Sequence, residues 1–235
     1  MLIAALAAAV LAAPTPVLLE LFTSEGCSSC PSADAVLRGL ESNQPVAGAL
    51  VIALEEHVDY WDNLGWKDPF SSARFTARQK EYAGWLGRGR IYTPQLVVDG
   101  AHEFVGSDAA AARDAILVST QAKKAALSLS EKAGQVTISL DALPAGEEAD
   151  VHLVVAELGL SSKVERGENE GKTLLHAAVA RSFETVGSAQ PGQALRLTVK
   201  MKLDPAWPRA QVRLVAFAQG KTSHRVLAAA VAPLG

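Results

Sequence analysis

The chain has 235 residues, 49% of them apolar and 20% charged, the composition of a folded protein with room for one large domain or two ordinary ones. Its formal net charge of -3 gives no electrostatic ground for expecting nucleic acid or an anionic membrane as partner. The 2 cysteines, Cys27 and Cys30, are too few and too close to staple a fold, so chemistry explains them better than stability does.

The first thirteen residues, MLIAALAAAVLAA, form an apolar run that ends in small residues before Pro14, though without a basic residue ahead of it. They read as the core of a secretory signal peptide, too short to span a bilayer, which predicts an exported, periplasmic or secreted chain with no membrane span once mature. Val17 to Thr23 reads as a buried strand ending at a Ser-Glu-Gly turn. Ala33, Val36, Leu37 and Leu40 then repeat at helical spacing. Ala49 to Val58 reads as a second buried strand, followed by an acidic and aromatic loop over 59–69 and a helix over 70–86. Gln95 to Val98, the Asp99-Gly100 turn and Glu103 to Val105 read as a hairpin. Ser107 or Asp108 can cap a last helix running to about Ala126. This alternation predicts an α/β layer fold over 14–125 with helices on both faces of a mixed sheet. Beyond it the texture turns to roughly seven short strands separated by turn signals, which predicts an all-β, immunoglobulin-like sandwich domain over 126–235.

Two cysteines two residues apart at a strand-to-helix junction suit thiol–disulfide chemistry. The helix N-terminus favours the thiolate of Cys27, the expected nucleophile, and Cys30 one turn on is the expected resolving thiol. Ser28 and Ser29 tune the pair. Tyr92-Thr93-Pro94-Gln95 precedes the hairpin, where a proline marks an edge, a strand start or a cis turn. The loop Glu55 to Asp62 stands at the end of a strand, the sheet edge where ligands bind, and so can border the dithiol and shape its substrate through His57 and Trp61. Packing within the loop accounts for these residues first. A proton-shuttle or metal-ligand role for His57 is the sharper alternative. His152, His176 and His224 show no ligand spacing and read as structural or surface residues. Glu25, two residues before Cys27, reads as solvated, and Trp61, Trp66 and Trp85 as core or groove wall.

The order strand, CxxC, helix, then Thr93-Pro94 ahead of a hairpin and a final helix, resembles the thioredoxin superfamily. That resemblance implies a thioredoxin-like N-terminal domain in which Pro94 is cis and faces the disulfide, with the backbone at Thr93 and Pro94 pairing with a substrate chain. Thioredoxins carry a buried carboxylate six residues before the first cysteine, where this chain has Leu21. Glu20 stands one residue off, facing the opposite side of the strand. Longer motifs, Phe22-Thr-Ser-Glu-Gly-Cys-Ser-Ser-Cys-Pro31, His57-Val-Asp-Tyr-Trp61, Gly65-Trp-Lys-Asp68, Arg78-Gln79, Tyr92 to Gly100, Arg166-Gly-Glu-Asn-Glu-Gly171 and His176, resemble the DUF1223 family of bacterial, secreted, thioredoxin-like proteins. The expectation is an oxidoreductase with no cofactor beyond its redox-active disulfide. It would act on a protein or small-molecule thiol or disulfide, with a separate redox partner. Two alternatives stand beside it: a copper carrier using both thiolates with His57 or His102, and a non-catalytic envelope binding protein. No metal site is assigned.

Overall fold

Strand β1 (Thr15–Thr23) is buried along nearly its whole length, and its alternation sends Val17, Leu19 and Leu21 to one face and Leu18 and Phe22 to the other. The structure, a computed structural model, describes residues 13–143 and 146–234. The expected signal segment therefore lies outside the described residues except for Ala13, as do Pro144 and Ala145.

Helix α1 (Cys30–Asn43) carries a proline in its first turn and ends where Gln44 takes a left-handed conformation, its N–H bonded to the Leu40 carbonyl. Strand β2 (Ala49–His57) lies parallel to β1 in a register that pairs Thr23 with His57. Helix α2 (Ala73–Trp85) is capped by Ser72. The hairpin β3 (Gln95–Val98) and β4 (His102–Val105) joins β1 antiparallel. Helix α3 (Ala109–Ser119) is capped by Asp108, which accepts from the N–H groups of Ala110 and Ala111. It ends at Ser119, short of the expected Ala126. Lys124 is drawn onto the sheet, 2.6 Å from Asp99, and the Ala125 N–H donates to Leu227, so the chain is extended there.

The remaining strands are β5 (Leu127–Lys132), β6 (Gln135–Leu140), β7 (Ala149–Leu158), β8 (Ser161–Lys163), β9 (Thr173–Leu175), β10 (Ala178–Ala189), β11 (Leu195–Lys200), β12 (Val212–Gly220) and β13 (Val226–Pro233). They overturn the expected division into a thioredoxin-like domain and a separate immunoglobulin-like sandwich. One mixed sheet of 8 strands runs through both halves in the order β13-β12-β7-β10-β2-β1-β3-β4, making a single, mostly β, α/β domain. The join is the parallel pairing of β10 with β2 at Val179 and Glu55. Strand-length patterning cannot reveal such a join, because a strand with both faces covered reads alike whichever neighbour it has.

On one face of this sheet lie α1 and α3, packed through Leu37, Leu40, Ala112 and Ile116. Further along that face the small sheet β11-β6-β5 stacks Val136, Ile138 and Leu140 onto Val151, Leu153, Leu214 and Ala216. Sheet-on-sheet packing is thus real in the C-terminal half, but one of its layers is the common sheet. Helix α2 covers the other face, where Phe75 and Tyr82 meet Phe22, Leu54, Val154 and Phe217. The halves also interlock outside the ladder. Arg213 donates to the Ala53 carbonyl at 2.5 Å, and the Val226 N–H donates to the Asp99 carbonyl at 3.0 Å. Gly100 must be glycine at that contact: its φ is +67°, and a Cβ there would stand 2.1 Å from the His224 carbonyl oxygen.

Candidate functional site around the Cys27–Cys30 disulfide

After β1 the chain turns sharply, the Cys27 N–H bonding back to the Ser24 carbonyl and the Gly26 N–H to the Ser24 hydroxyl. Cys30 opens α1, and the two cysteines form a disulfide with their Cα atoms 5.4 Å apart. Ser28 and Ser29 between them are exposed, while Cys27 is 1% and Cys30 0% exposed. Both cysteines are thus buried, although the two serines between them are exposed. Ser29 turns its hydroxyl toward Cys27 Sγ, 3.3 Å away, and caps no helix N–H.

The expected proline lies at the same end of the sheet, since β3 pairs Gln95 with Phe22. The Thr93–Pro94 peptide is cis. Pro94 approaches α1 across Gly106, where a Cβ would meet Leu21, Ala33 and Pro94. Trp61 backs onto Gly26 and donates from Nε1 to the Thr93 hydroxyl at 2.8 Å, forming a wall between the cysteine turn and the proline. Ser28, Ser29, Trp61, Thr93 and Pro94 thus share one edge. His57 is not part of its surface: it is fully buried below.

The C-terminal half supplies part of this site. Asn169, 0% exposed, donates through Nδ2 to the Glu25 carbonyl at 2.8 Å and the Cys27 carbonyl at 2.9 Å. Exposed Glu168 accepts from the Ser28 N–H at 2.9 Å. The segment that sequence alone reads as a turn holds the cysteine loop in place.

Beneath the disulfide, on the α1 face, lies a buried charged cluster. His57 Nδ1 is 2.7 Å from Asp68 Oδ2, which also accepts the Glu25 N–H. His176 Nε2 is 3.1 Å from Glu25 Oε1, while Trp66 donates to Glu25 Oε2 at 2.7 Å. Glu55 stands between the two imidazoles, which are themselves 5.0 Å apart and edged by the Phe70 ring. Burial works against the His57 imidazolium, but Asp68 and Glu55 outweigh it and hold its pKa well above the usual value. His176 is raised in the same way, against burial, by Glu25 and Glu55. Burial would raise Glu55, yet His176 and His57 bring it below the usual range. Asp34, one turn after Cys30, accepts from the Thr23 hydroxyl at 2.8 Å; burial and then the Glu55 charge push its carboxyl up to about 7. Asp34 thus supplies a buried carboxyl near the pair, although Leu21 holds the strand position where thioredoxins carry theirs.

Several of these residues escaped the sequence reading. Glu25 is buried, and His176 is buried beside His57. A signal was present for one half of the cluster: Glu55-Glu56-His57 is a charged run on a buried strand, and alternation puts Glu55 and His57 on the same face. His102 sits at the far end of the β3–β4 hairpin, paired with Val98, and takes no part. A cleft of about 370 Å³ opens on the α2 face, lined by Arg74, Arg78, Trp85, His152 and Phe183, and contains no residue of the disulfide edge.

A family model described as a protein of unknown function (DUF1223) matches residues 18–219. The crystal structure of a protein from Agrobacterium tumefaciens is similar at a TM-score of 0.74 and 25% identity, covering 94% of this chain and 96% of that one. HBP35 of Porphyromonas gingivalis shares the fold at a TM-score of 0.65 and 15% identity, over 95% of this chain and 76% of its own. No curated protein matches.

Proposed function

This chain belongs to the DUF1223 family, and we propose that it is an exported thiol–disulfide oxidoreductase working through Cys27 and Cys30. The observation that carries this reading is the disulfide at the first turn of α1, bridged by two exposed serines and bordered by Trp61, Thr93 and Pro94. A helix N-terminus favours a thiolate there. The local strand order β2-β1-β3-β4, with β1 parallel to β2 and antiparallel to β3, supports the thioredoxin-like reading of this part of the sheet. The apolar run at residues 1–13 supports export.

In the exchange, a substrate thiolate attacks Sγ of Cys27, the Cys27–Cys30 bond breaks, and Cys30 leaves as a thiolate that takes up a proton. A second substrate thiolate attacks the substrate sulfur of the mixed disulfide and releases Cys27. Two electrons pass from the substrate dithiol to the cysteine pair, and the same steps reversed reduce a substrate disulfide. An external dithiol or disulfide partner resets the couple. Asp34, four residues after Cys30 on the buried face of α1, is the candidate proton acceptor and donor for the pair, its carboxyl pushed up first by burial and then by the Glu55 charge.

Equilibration in glutathione buffers, with thiols trapped by alkylation, tests the proposal. The expected result is one reversible two-electron couple that disappears in Cys27→Ser. A pair that stays oxidised at every glutathione ratio would overturn it, leaving the disulfide a structural clip in a binding protein.

A further inference from the structure

Among the buried side-chain atoms without a hydrogen-bond partner, which also include both Glu56 oxygens, Glu157 Oε2 and Arg213 Nε, four belong to three side chains that lie together, and one from each faces the others. The four are both carboxylate oxygens of Glu55, Nε2 of His57 and Nδ1 of His176. The three residues are 0%, 0% and 3% exposed, and a ligand atom from each lies within 4.8 Å of the others. Glu55 Oε2 is 3.7 Å from His57 Nε2 and 3.4 Å from His176 Nδ1. A buried polar atom left unpaired is costly, and more so when charged. Convergence of three such atoms, Glu55 Oε2, His57 Nε2 and His176 Nδ1, calls for something that all of them bind.

We propose that Glu55, His57 and His176 ligate a divalent first-row transition metal of the zinc class. The donor set fits: imidazole nitrogen and carboxylate oxygen are the ligands of such ions, whereas Cu(I) selects sulfur. Metal–ligand bonds of about 2.0–2.2 Å set tetrahedral ligand atoms about 3.4 Å apart, close to the two separations given above. Each imidazole is already oriented by a carboxylate on its other nitrogen: Asp68 on Nδ1 of His57, Glu25 on Nε2 of His176. That carboxylate–histidine pairing is the support that histidine ligands need to present a lone pair inward. Those carboxylates are fixed in turn, Asp68 by the Glu25 and Phe70 N–H groups and Glu25 by Trp66. Three side chains supply the donors, which leaves a fourth position of a tetrahedral ion to a non-protein ligand. One divalent cation would bring the same two positive charges to this cluster as a proton on each imidazole.

The position gives the ion its task. Glu55 and His57 end β2, and His176 leads into β10, the two strands whose pairing at Val179 and Glu55 joins the halves of the large sheet. The ion fastens that seam and, through Glu25, steadies the loop carrying Cys27.

The test strips the full oxidised chain with a chelator and titrates it with Co²⁺ and Zn²⁺. One ion per chain is expected, with a cobalt spectrum of nitrogen and oxygen ligation and no thiolate charge-transfer band. Uptake should persist in the Cys27→Ser/Cys30→Ser double variant, fall about 100-fold or more in His57→Gln and His176→Gln, and fall about 10–100-fold in Glu25→Gln. Should the histidine variants fail to fold, the Co²⁺-loaded wild-type chain decides by NMR, through paramagnetic shifts of the His57 and His176 rings. No uptake by the wild-type chain in excess metal, uptake that needs free thiols, uptake indifferent to both histidine substitutions, or rings left unshifted in the Co²⁺-loaded chain would each overturn the proposal.

Discussion

The large sheet buries charge on both of its faces, and the two faces resolve it differently. On the α2 face, Arg78 donates to Glu20 at 2.5 Å and to the Tyr82 hydroxyl at 3.0 Å, with Gln219 completing the group at 3.2 Å. Against burial, the guanidinium holds Glu20 below the usual carboxylate range, while burial and the Glu20 charge push Glu56 well above it. One fixed cation anchors that cluster, with both Glu56 oxygens buried beside it, Oε1 3.7 Å from Arg78 Nε, and neither hydrogen-bonded. Among the described residues, no arginine or lysine joins the α1-face cluster. Its carboxylates are set against two imidazoles, and three of the atoms left over converge on a point. Buried charge alone marks no site; convergent, ligand-capable atoms do.

The histidines report the same contrast. His57 and His176, among carboxylates, have raised pKa values. His152, on the α2 face between Phe183 and Phe217, is pushed down to about 3, first by burial and then by the Arg78 charge.

Arg78→Met gives the largest expected effect. It leaves Glu20 buried without its cation, and urea unfolding should show a loss of about 3–5 kcal/mol. A loss below about 1 kcal/mol would mean that these acids are neutral without the guanidinium, and the contrast between the faces would vanish. Acid titration comes next. Because the folded pKa of His152 lies below its unfolded value, the unfolded chain takes the proton first. Its contribution is whole above about pH 6.5, declines as pH falls, and is fully lost near 3. Lowering the pH from 7 to 5 should cost about 2 kcal/mol through this group, and His152→Gln should flatten that part of the stability curve. An unchanged slope in the variant would place the acid sensitivity elsewhere. The smallest effect concerns the clamp above the α1-face cluster. Asn169→Ala strips two carbonyls of their donor and should cost about 1–2 kcal/mol. It should also speed dithiothreitol reduction of the disulfide severalfold, by loosening the Cys27 loop. Unchanged reduction kinetics would show that this loop does not govern access to the pair.

Much of the N-terminal half was legible in order and type. Apolar runs ending in Gly, Pro and Asn signals mark β1, β2 and the β3–β4 hairpin, and Asp108 caps α3 as its position suggests. The cysteine pair and Thr93-Pro94 were visible as motifs, because local chemistry and turn geometry fix them. Glu25 reads as solvated because a carboxylate beside a turn usually finds water, and nothing nearby in sequence announces Trp66 or His176 as its partners. Arg166 to Gly171 read as a turn, which it is, but its hold on Cys27 comes from a chain segment far away in sequence.

By itself, then, the sequence determined the order and type of the N-terminal elements, the place of the cysteine pair, and the facing of alternate residues on each strand, since these follow from backbone periodicity and local steric preference. Helix α3 ends short of its reading, and among the described residues nine strands stand where roughly seven are read. Tertiary structure decided the rest. That β10 pairs with β2, making one sheet of what pattern divides into two domains, depends on long-range hydrogen bonding that leaves no local trace. The same pairing carries His176 beside His57 and Glu55, because bringing distant side chains together is the work of the chain's closure and not of its spacing.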